Sequence, residues 1–322
     1  MNEPLVSVIV PVYNQQNHVE EAVRSILEQT HQNLELIIVD DGSSDESVKI
    51  IKEKFSSGVT LICQKNLGVS SAINAGLSEA KGELIALLGG DDVSLKQRVS
   101  NQVKLFESSS FDILFSRPYL INQQGDSIRD EDFPVFFGPE PEKDKLLTEL
   151  FYKGNFLCAP SAMFRRRVLD TLGEFHRGLI QLQDYDYWLR ALGAGFTVKL
   201  CPQGEVYYRR HENNLSAVER LSAANAETPF ILERLLRVSR PEILRKAFVD
   251  VLRPLSINTT PLTPIEKMMI LMSHPLEEVR LAAGTYILRL MEDGWIFEEE
   301  EKYGFNLITY LYNNLGENDR QA

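Results

Sequence analysis

The sequence predicts an α/β fold, with a mainly parallel sheet flanked by helices, followed by an α-helical C-terminal region. Three observations carry that expectation. Short β-branched runs alternate with stretches of helical apolar spacing through the first 90 residues. Each run ends in a polar or acidic turn. Beyond His211 the spacing is helical throughout. Strands alternating with helices of this length imply parallel pairing through right-handed crossovers.

Taken in order, Val6–Val12 is a continuous β-branched run closed by Pro11 and Asn14, as expected of a strand buried on both faces. Val19, Ala22, Val23, Ile26 and Leu27 then lie on one helix stripe. Leu34–Val39 is a second buried strand, ended by the turn Asp40–Asp45 (DDGSSD). Ser44 or Asp45 is placed to cap the next helix, whose Val48, Ile51 and Phe55 share a face. Val59–Cys63 is a third strand, Ser70–Ala80 a third helix and Leu84–Leu88 a fourth strand. Farther on, Asp112–Asn122 reads as strand, Gln123–Asp126 as a turn and Lys145–Phe151 as a short helix. Ile231, Leu232, Leu235 and Leu236, and then Ile265, Met268, Met269 and Met272, form apolar stripes between breaks at Pro241, Pro254, Pro261 and Pro264. The boundary is placed near Ser216, giving a first domain of 1–216 and a helical domain of 217–322. No second copy of the segment His274–Leu290 occurs, so a helical repeat array is not expected.

Composition narrows the function. The 322 residues are 43% hydrophobic and 25% charged, an ordinary globular balance. With 46 acidic and 34 basic residues the net charge is −12, which repels a phosphate backbone and argues against nucleic acid as a partner. Cys63, Cys158 and Cys201 are odd in number and far apart, which fits a reducing compartment better than a disulfide framework or a cysteine zinc site. No apolar run approaches the ~20 residues of a membrane span, and the start lacks a basic-then-apolar leader. A cytoplasmic location follows as the expectation.

GxxxxGK, GxGxxG, HExxH and GxSxG are all absent. What remains is acidic pairs at strand ends, where open α/β sheets bind ligands. Asp40-Asp41 follows the second strand and Asp91-Asp92 the fourth. Asp184 and Asp186 come later. Carboxylates gathered at one edge repel each other unless a cation or a ligand compensates. Oxygen ligands favour Mg²⁺ or Mn²⁺, which commonly bridge phosphate oxygens. Asp45 is read as a cap only. Gly89-Gly90, just before Asp91, lets the backbone approach a ligand.

On these residues the chain resembles the family 2 glycosyltransferases, which have the GT-A nucleotide-sugar fold. The resemblance runs through Ser7–Ser47, Gln64–Leu77 and Lys81–Asp92. It resumes at Pro160–Phe175, Gln183–Gly195 and Tyr207–Ser216, so it covers roughly residues 5–216. It implies a metal-dependent inverting transfer of a sugar from a nucleotide-diphosphate donor, with a UDP-sugar expected, to an acceptor hydroxyl. By that resemblance Pro11, Tyr13 and Asn14 sit at the nucleobase, and Asp41, with Asp40, accepts from a base N–H. Lys65, Asn66 and Gly68 close over the nucleoside, while Gly90 and Asp91 approach the diphosphate. Asp91, Asp92 and His211 are the implied ligands of Mn²⁺ or Mg²⁺, and Asp184 is the implied catalytic base. A core role for Tyr13, a solvated surface role for Lys65 and a purely structural role for His211 remain as alternatives. Arg209 and Arg210 are read either as diphosphate partners or as surface charge.

The helix expected over Tyr185–Ala194 would place its N-terminal dipole at Asp184 and keep it ionised. A cap-only role is the alternative, and Asp186, two residues on, is the weaker candidate. Asn74 is expected to fix backbone, and Trp188 and Leu189 to be core.

Two positions depart from the family pattern. Gly89 stands where the first Asp of DxDD is usual, which removes a carboxylate expected near the ribose. Gln183 stands where Glu usually precedes the catalytic Asp. Two other functions stay open. A nucleotidyltransferase would normally carry a Gly-rich basic loop after the first strand, where this chain has PVYNQQNH. A non-catalytic sugar-nucleotide module would read Gly89 as decay. The loop Asp132–Glu142, with Phe133, Phe136 and Phe137, is either a lid over the acceptor or core. Glu298–Glu301 reads as a solvated helix face. The apolar stripes of the tail predict a unit that docks an acceptor, a second copy of the chain or the inner face of a membrane.

Overall fold

A computed structural model describes residues 3–129, 145–212, 214–215, 221–253 and 261–292. Ser216, the loop Asp132–Glu142 and the run Glu298–Glu301 lie outside the described residues. In chain order the elements are β1 Val6–Val12, α1 Val19–Leu27, β2 Leu34–Asp40, α2 Ser47–Lys54, β3 Val59–Cys63, α3 Val69–Glu79 and β4 Leu84–Leu87. Then come β5 Val93–Ser94, α4 Arg98–Ser108, β6 Ile113–Ile121, α5 Leu146–Lys153, β7 Met163–Arg165 and α6 Arg166–Leu172. They are followed by α7 Gln183–Gly193, β8 Val198–Arg209, α8 Leu221–Val238, α9 Pro241–Ala247, α10 Val249–Leu252, α11 Pro264–Met272 and α12 Glu277–Glu292.

The chain divides into two compact units, one of Met1–Glu140, Asn155–Leu192 and Phe196–Arg220, the other of Pro141–Gly154, Gly193–Gly195 and Leu221–Ala322. Helix α5, inside the segment 1–216, therefore groups with the later helices.

The first unit is built on an eight-stranded sheet in the order β3-β2-β1-β4-β7-β6-β8-β5. Pairings β1–β2, β1–β4, β2–β3 and β6–β8 are parallel. The sheet is mixed, because β4–β7, β6–β7 and β5–β8 run antiparallel. The three-residue β7 follows a tight turn at Ala159–Ser161. Strand β1 shows why its run is apolar apart from Ser7. Val6, Val8, Val10 and Val12 pack with Val19, Val23 and Ile26 of α1, Ile51 of α2 and Val99, Val103 and Phe106 of α4. Ile9, equally buried, faces the other side. Trp188 of α7 meets Phe115 edge-on at 4.9 Å and packs beside Phe164 and Phe175, so it and the buried Leu189 are core.

In the second unit the expected stripes are buried, with Ile231, Leu232, Leu235 and Leu236 on α8 and Ile265, Met268, Met269 and Met272 on α11. Pro241 and Pro264 do not interrupt helices; each occupies the first turn of one, where its missing N–H costs nothing. Thr263 and Glu266 close a capping box on α11, and the buried Glu266 also takes Arg245. Among the described residues no helix is long and apolar enough to cross a membrane.

Candidate active site

The carboxyl ends of β1, β2, β3 and β4 come to one edge of the sheet because all four run parallel. Their loops are tied together by side chains. Asn14, the one non-glycine with positive φ (52°) among the described residues, accepts from Ser44 N–H at 2.9 Å. Its own N–H goes to Ser43 Oγ. Asp45 accepts from Ser47 N–H and, with its other oxygen, from Gln16 N–H, so it anchors the start of α2 and the β1 loop at once. Asp41 is buried and receives Gln64 Nε2 at 2.7 Å, Leu67 N–H at 2.9 Å and Gly68 N–H at 2.9 Å. It therefore fixes the Lys65–Gly68 loop. Gly42, at φ 78°, permits that approach; a Cβ there would lie 2.7 Å from Asn66 N.

Asp40 spends Oδ2 on the N–H groups of Gly42 and Ser43, while its buried Oδ1 has no hydrogen-bond partner among the described residues. Tyr13 is 47% exposed, which is not a core position. Lys65, Asn66 and Gly68 are exposed and Pro11 is half-buried.

After β4 the chain turns at Gly89, and Gly90 packs beside the carbonyl of Pro11. His211 Nε2 lies 2.7 Å from Asp91 Oδ2, and the ring of His18 stacks over His211 at 5.8 Å. Asp92 points into the protein, where Oδ1 accepts the Arg209 N–H at 2.9 Å. Its burial and the neighbouring Asp91 push its carboxyl well above the usual range. Arg209 is not surface charge. It is buried, donates Nε to the Asp91 carbonyl at 2.8 Å and Nη2 to Glu21 at 2.6 Å, and reaches the carbonyls of Asn122 and Gln123. Among the described residues no three His, Cys, Asp or Glu side chains form a ready cage for a metal. The donor set nevertheless suits Mg²⁺ or Mn²⁺ held by one or two protein groups together with substrate phosphates. Asp91 and His211 are already in contact and would be the two side chains to hold it.

Two carboxylate ends crowd Gly89. A Cβ there would lie 2.5 Å from Asp92 Oδ2 and 2.7 Å from Asp91 Oδ1. The two carboxylates occupy the space over the glycine.

Asp184 sits in the first turn of α7, one residue inside a helix that begins at Gln183. The helix dipole leads one to expect an acidic carboxyl, but burial wins and raises it to about 6. Hydrogen bonds from Asn155 Nδ2 at 2.8 Å and Tyr185 N–H at 2.9 Å oppose that rise. Asp186 is different: it is buried and paired with Arg190 at 2.8 Å, which also binds the carbonyls of Leu172 and Glu174. Asn74 exchanges two hydrogen bonds with the backbone of Phe175 and so fixes backbone, as expected. Asn155, His18, Glu21 and the burial of Arg209 were not legible in the sequence; each is a single polar residue whose partner lies 29 or more positions away.

Comparison with known proteins bears on this arrangement. Residues 7–173 match glycosyl transferase family 2. An uncharacterized glycosyltransferase of Methanocaldococcus jannaschii is 31% identical over 228 residues, 68% of this chain and 76% of that protein. The Escherichia coli UDP-Glc:alpha-D-GlcNAc-diphosphoundecaprenol beta-1,3-glucosyltransferase WfaP is 30% identical over 218 residues, 66% of this chain and 80% of WfaP. Among solved structures, the mannosyltransferase PcManGT from Pyrobaculum calidifontis, in complex with GDP-Man and Mn²⁺, has a similar fold. Its TM-score is 0.56 at 17% identity, covering 100% of this chain and 89% of that one.

Proposed function

Since the chain belongs to glycosyl transferase family 2, we propose that it is a metal-dependent inverting enzyme that moves a sugar from a UDP-sugar to an acceptor hydroxyl. The observation that carries the mechanism is Asp184, a half-buried carboxylate with neutral hydrogen-bond partners and a pKa raised to about 6. An alcohol is too weak an acid to lose its proton unaided at neutral pH. Asp184 takes that proton as the acceptor oxygen attacks the anomeric carbon. The bond from that carbon to the diphosphate breaks on the opposite face, and its electron pair leaves with the nucleotide. A positioned base of this kind contributes about 10²–10⁴-fold.

Asp91 and His211 would hold Mn²⁺ or Mg²⁺, which neutralises charge on the departing diphosphate. Asp92 is assigned a supporting part, holding the Asp91 loop to β8. The exposed ring of Tyr13 is available to a base, and the buried Asp41, with Asp40, is proposed as the acceptor for its N–H groups. The uridine preference rests on WfaP, whose donor is UDP-Glc by name. A docking role toward an acceptor, a second copy or a membrane surface is proposed for the helical unit.

A UDP-hexose panel with Mn²⁺, scored by thermal shift, identifies the donor. A ligand at 100 times its Kd adds about 2.7 kcal/mol to stability. NMR of the first product formed then tests inversion. The opposite anomer supports the proposal, and retention of the donor's configuration contradicts it.

A further inference from the structure

We propose that Asn155 is a positioning residue that orients the Asp184 carboxylate and helps keep it ionised at neutral pH. The inference rests on the reading of Asp184 as the base. Asn155 donates Nδ2 to Asp184 Oδ2 at 2.8 Å. Its other end is fixed as well, because Oδ1 accepts the Leu157 N–H at 3.1 Å. That second bond sets which way the amide points: a backbone N–H needs the oxygen, so the NH₂ group faces the carboxylate. Tyr185 N–H takes Asp184 Oδ1 at 2.9 Å, so both carboxylate oxygens have a directional partner.

The groups acting on Asp184 are neutral. Burial raises its pKa, and the hydrogen bonds from Asn155 and from the backbone lower it. The nearest charge on its own helix, Asp186, is engaged by Arg190. With no cation in this set, the anion depends on these few N–H donors. The donors do two things at once. They favour the anion over the acid, and they hold the carboxylate plane against rotation about its last bond. Losing Asn155 Nδ2 therefore leaves a carboxyl that stays protonated to higher pH and points less consistently at an acceptor oxygen.

The experiment needs no acceptor. The ¹³Cγ shift of Asp184, assigned by its absence in Asp184→Asn, is titrated in wild type, Asn155→Ala, Asn155→Ser and Asn155→Asp. The expected apparent pKa is near 6 in wild type and higher by about one pH unit in Asn155→Ala. In Asn155→Ser, which keeps a donor, it lies between the two. In Asn155→Asp a second carboxyl titrates with Asp184, and the upper step moves above the Asn155→Ala value. Should Asn155→Ala not fold, the isosteric Asn155→Asp carries the test alone. An Asp184 titration unmoved in the Asn155 variants overturns the proposal. Release of UDP from UDP-glucose by wild type and Asp184→Asn is measured in parallel. A large loss in Asp184→Asn alongside an unmoved titration defeats the role of Asn155 alone. Equal release by both proteins defeats the base reading, and the proposal with it.

Discussion

His211 Nε2 meets Asp91 Oδ2 at 2.7 Å across a sequence separation of 120 residues, at the junction of the β4 loop and the end of β8. The contact is held from behind. Arg209 bonds the carbonyl of Asp91 and, through its N–H, the side chain of Asp92. The two segments are thus registered before any ligand arrives.

Metal dependence is expected to follow from that pair. UDP titrated into the wild type should bind at least about tenfold more tightly with Mn²⁺ than with EDTA. In Asp91→Ala the two conditions should give the same weak affinity. Calorimetry reads both, and tight binding by Asp91→Ala in EDTA would exclude Asp91 as a ligand.

At position 89 the expectation runs against the family pattern. Because a Cβ would displace the ends of both neighbouring carboxylates, Gly89→Ala should weaken UDP binding while costing no more than about 1 kcal/mol of stability. Gly89→Asp, which restores the usual residue, should not strengthen binding either. Melting temperature and UDP Kd check both variants.

Stability should depend on pH through Asp184. Its folded pKa of about 6 lies above the unfolded value near 3.8, so the folded state binds the proton more tightly and loses stability as pH rises through that interval. Asp184→Asn removes the buried charge but gives up one of two accepted hydrogen bonds. The variant should be more stable than wild type by on the order of 1–2 kcal/mol at pH 7.5. The gain should vanish below about pH 4. Urea unfolding at the two pH values measures it.

Much of this was readable from the chain. Strands β1 and β2 announce themselves because their centres are buried on both faces, so the runs Val8–Val12 and Leu36–Val39 carry no polar residue. The antiparallel additions did not, since Val93–Ser94 and Met163–Arg165 are too short to show a period. Strand β8 was hidden for another reason: its register against β6 shifts at Ser116–Pro118, which breaks the alternation. Within the site, residues in motifs were found and residues that serve them were not. Asp91, Asp184 and His211 stand in recognisable strings. Asn155 and Glu21 act across the fold on partners that only the tertiary structure supplies.

The central claim, that Asp184 is the base of a glycosyl transfer, is tested most directly by comparing turnover and binding in one variant. UDP release from the preferred UDP-sugar, with Mn²⁺ and across pH 5–8.5, is measured for wild type and Asp184→Asn beside the UDP Kd of each. Wild-type turnover should fall as pH drops through about 6, where the carboxylate takes up its proton. Asp184→Asn should bind UDP as wild type does, yet lose at least about 10²-fold in turnover above pH 7, with the deficit narrowing as pH falls below 6. Near-wild-type turnover in Asp184→Asn would contradict the account.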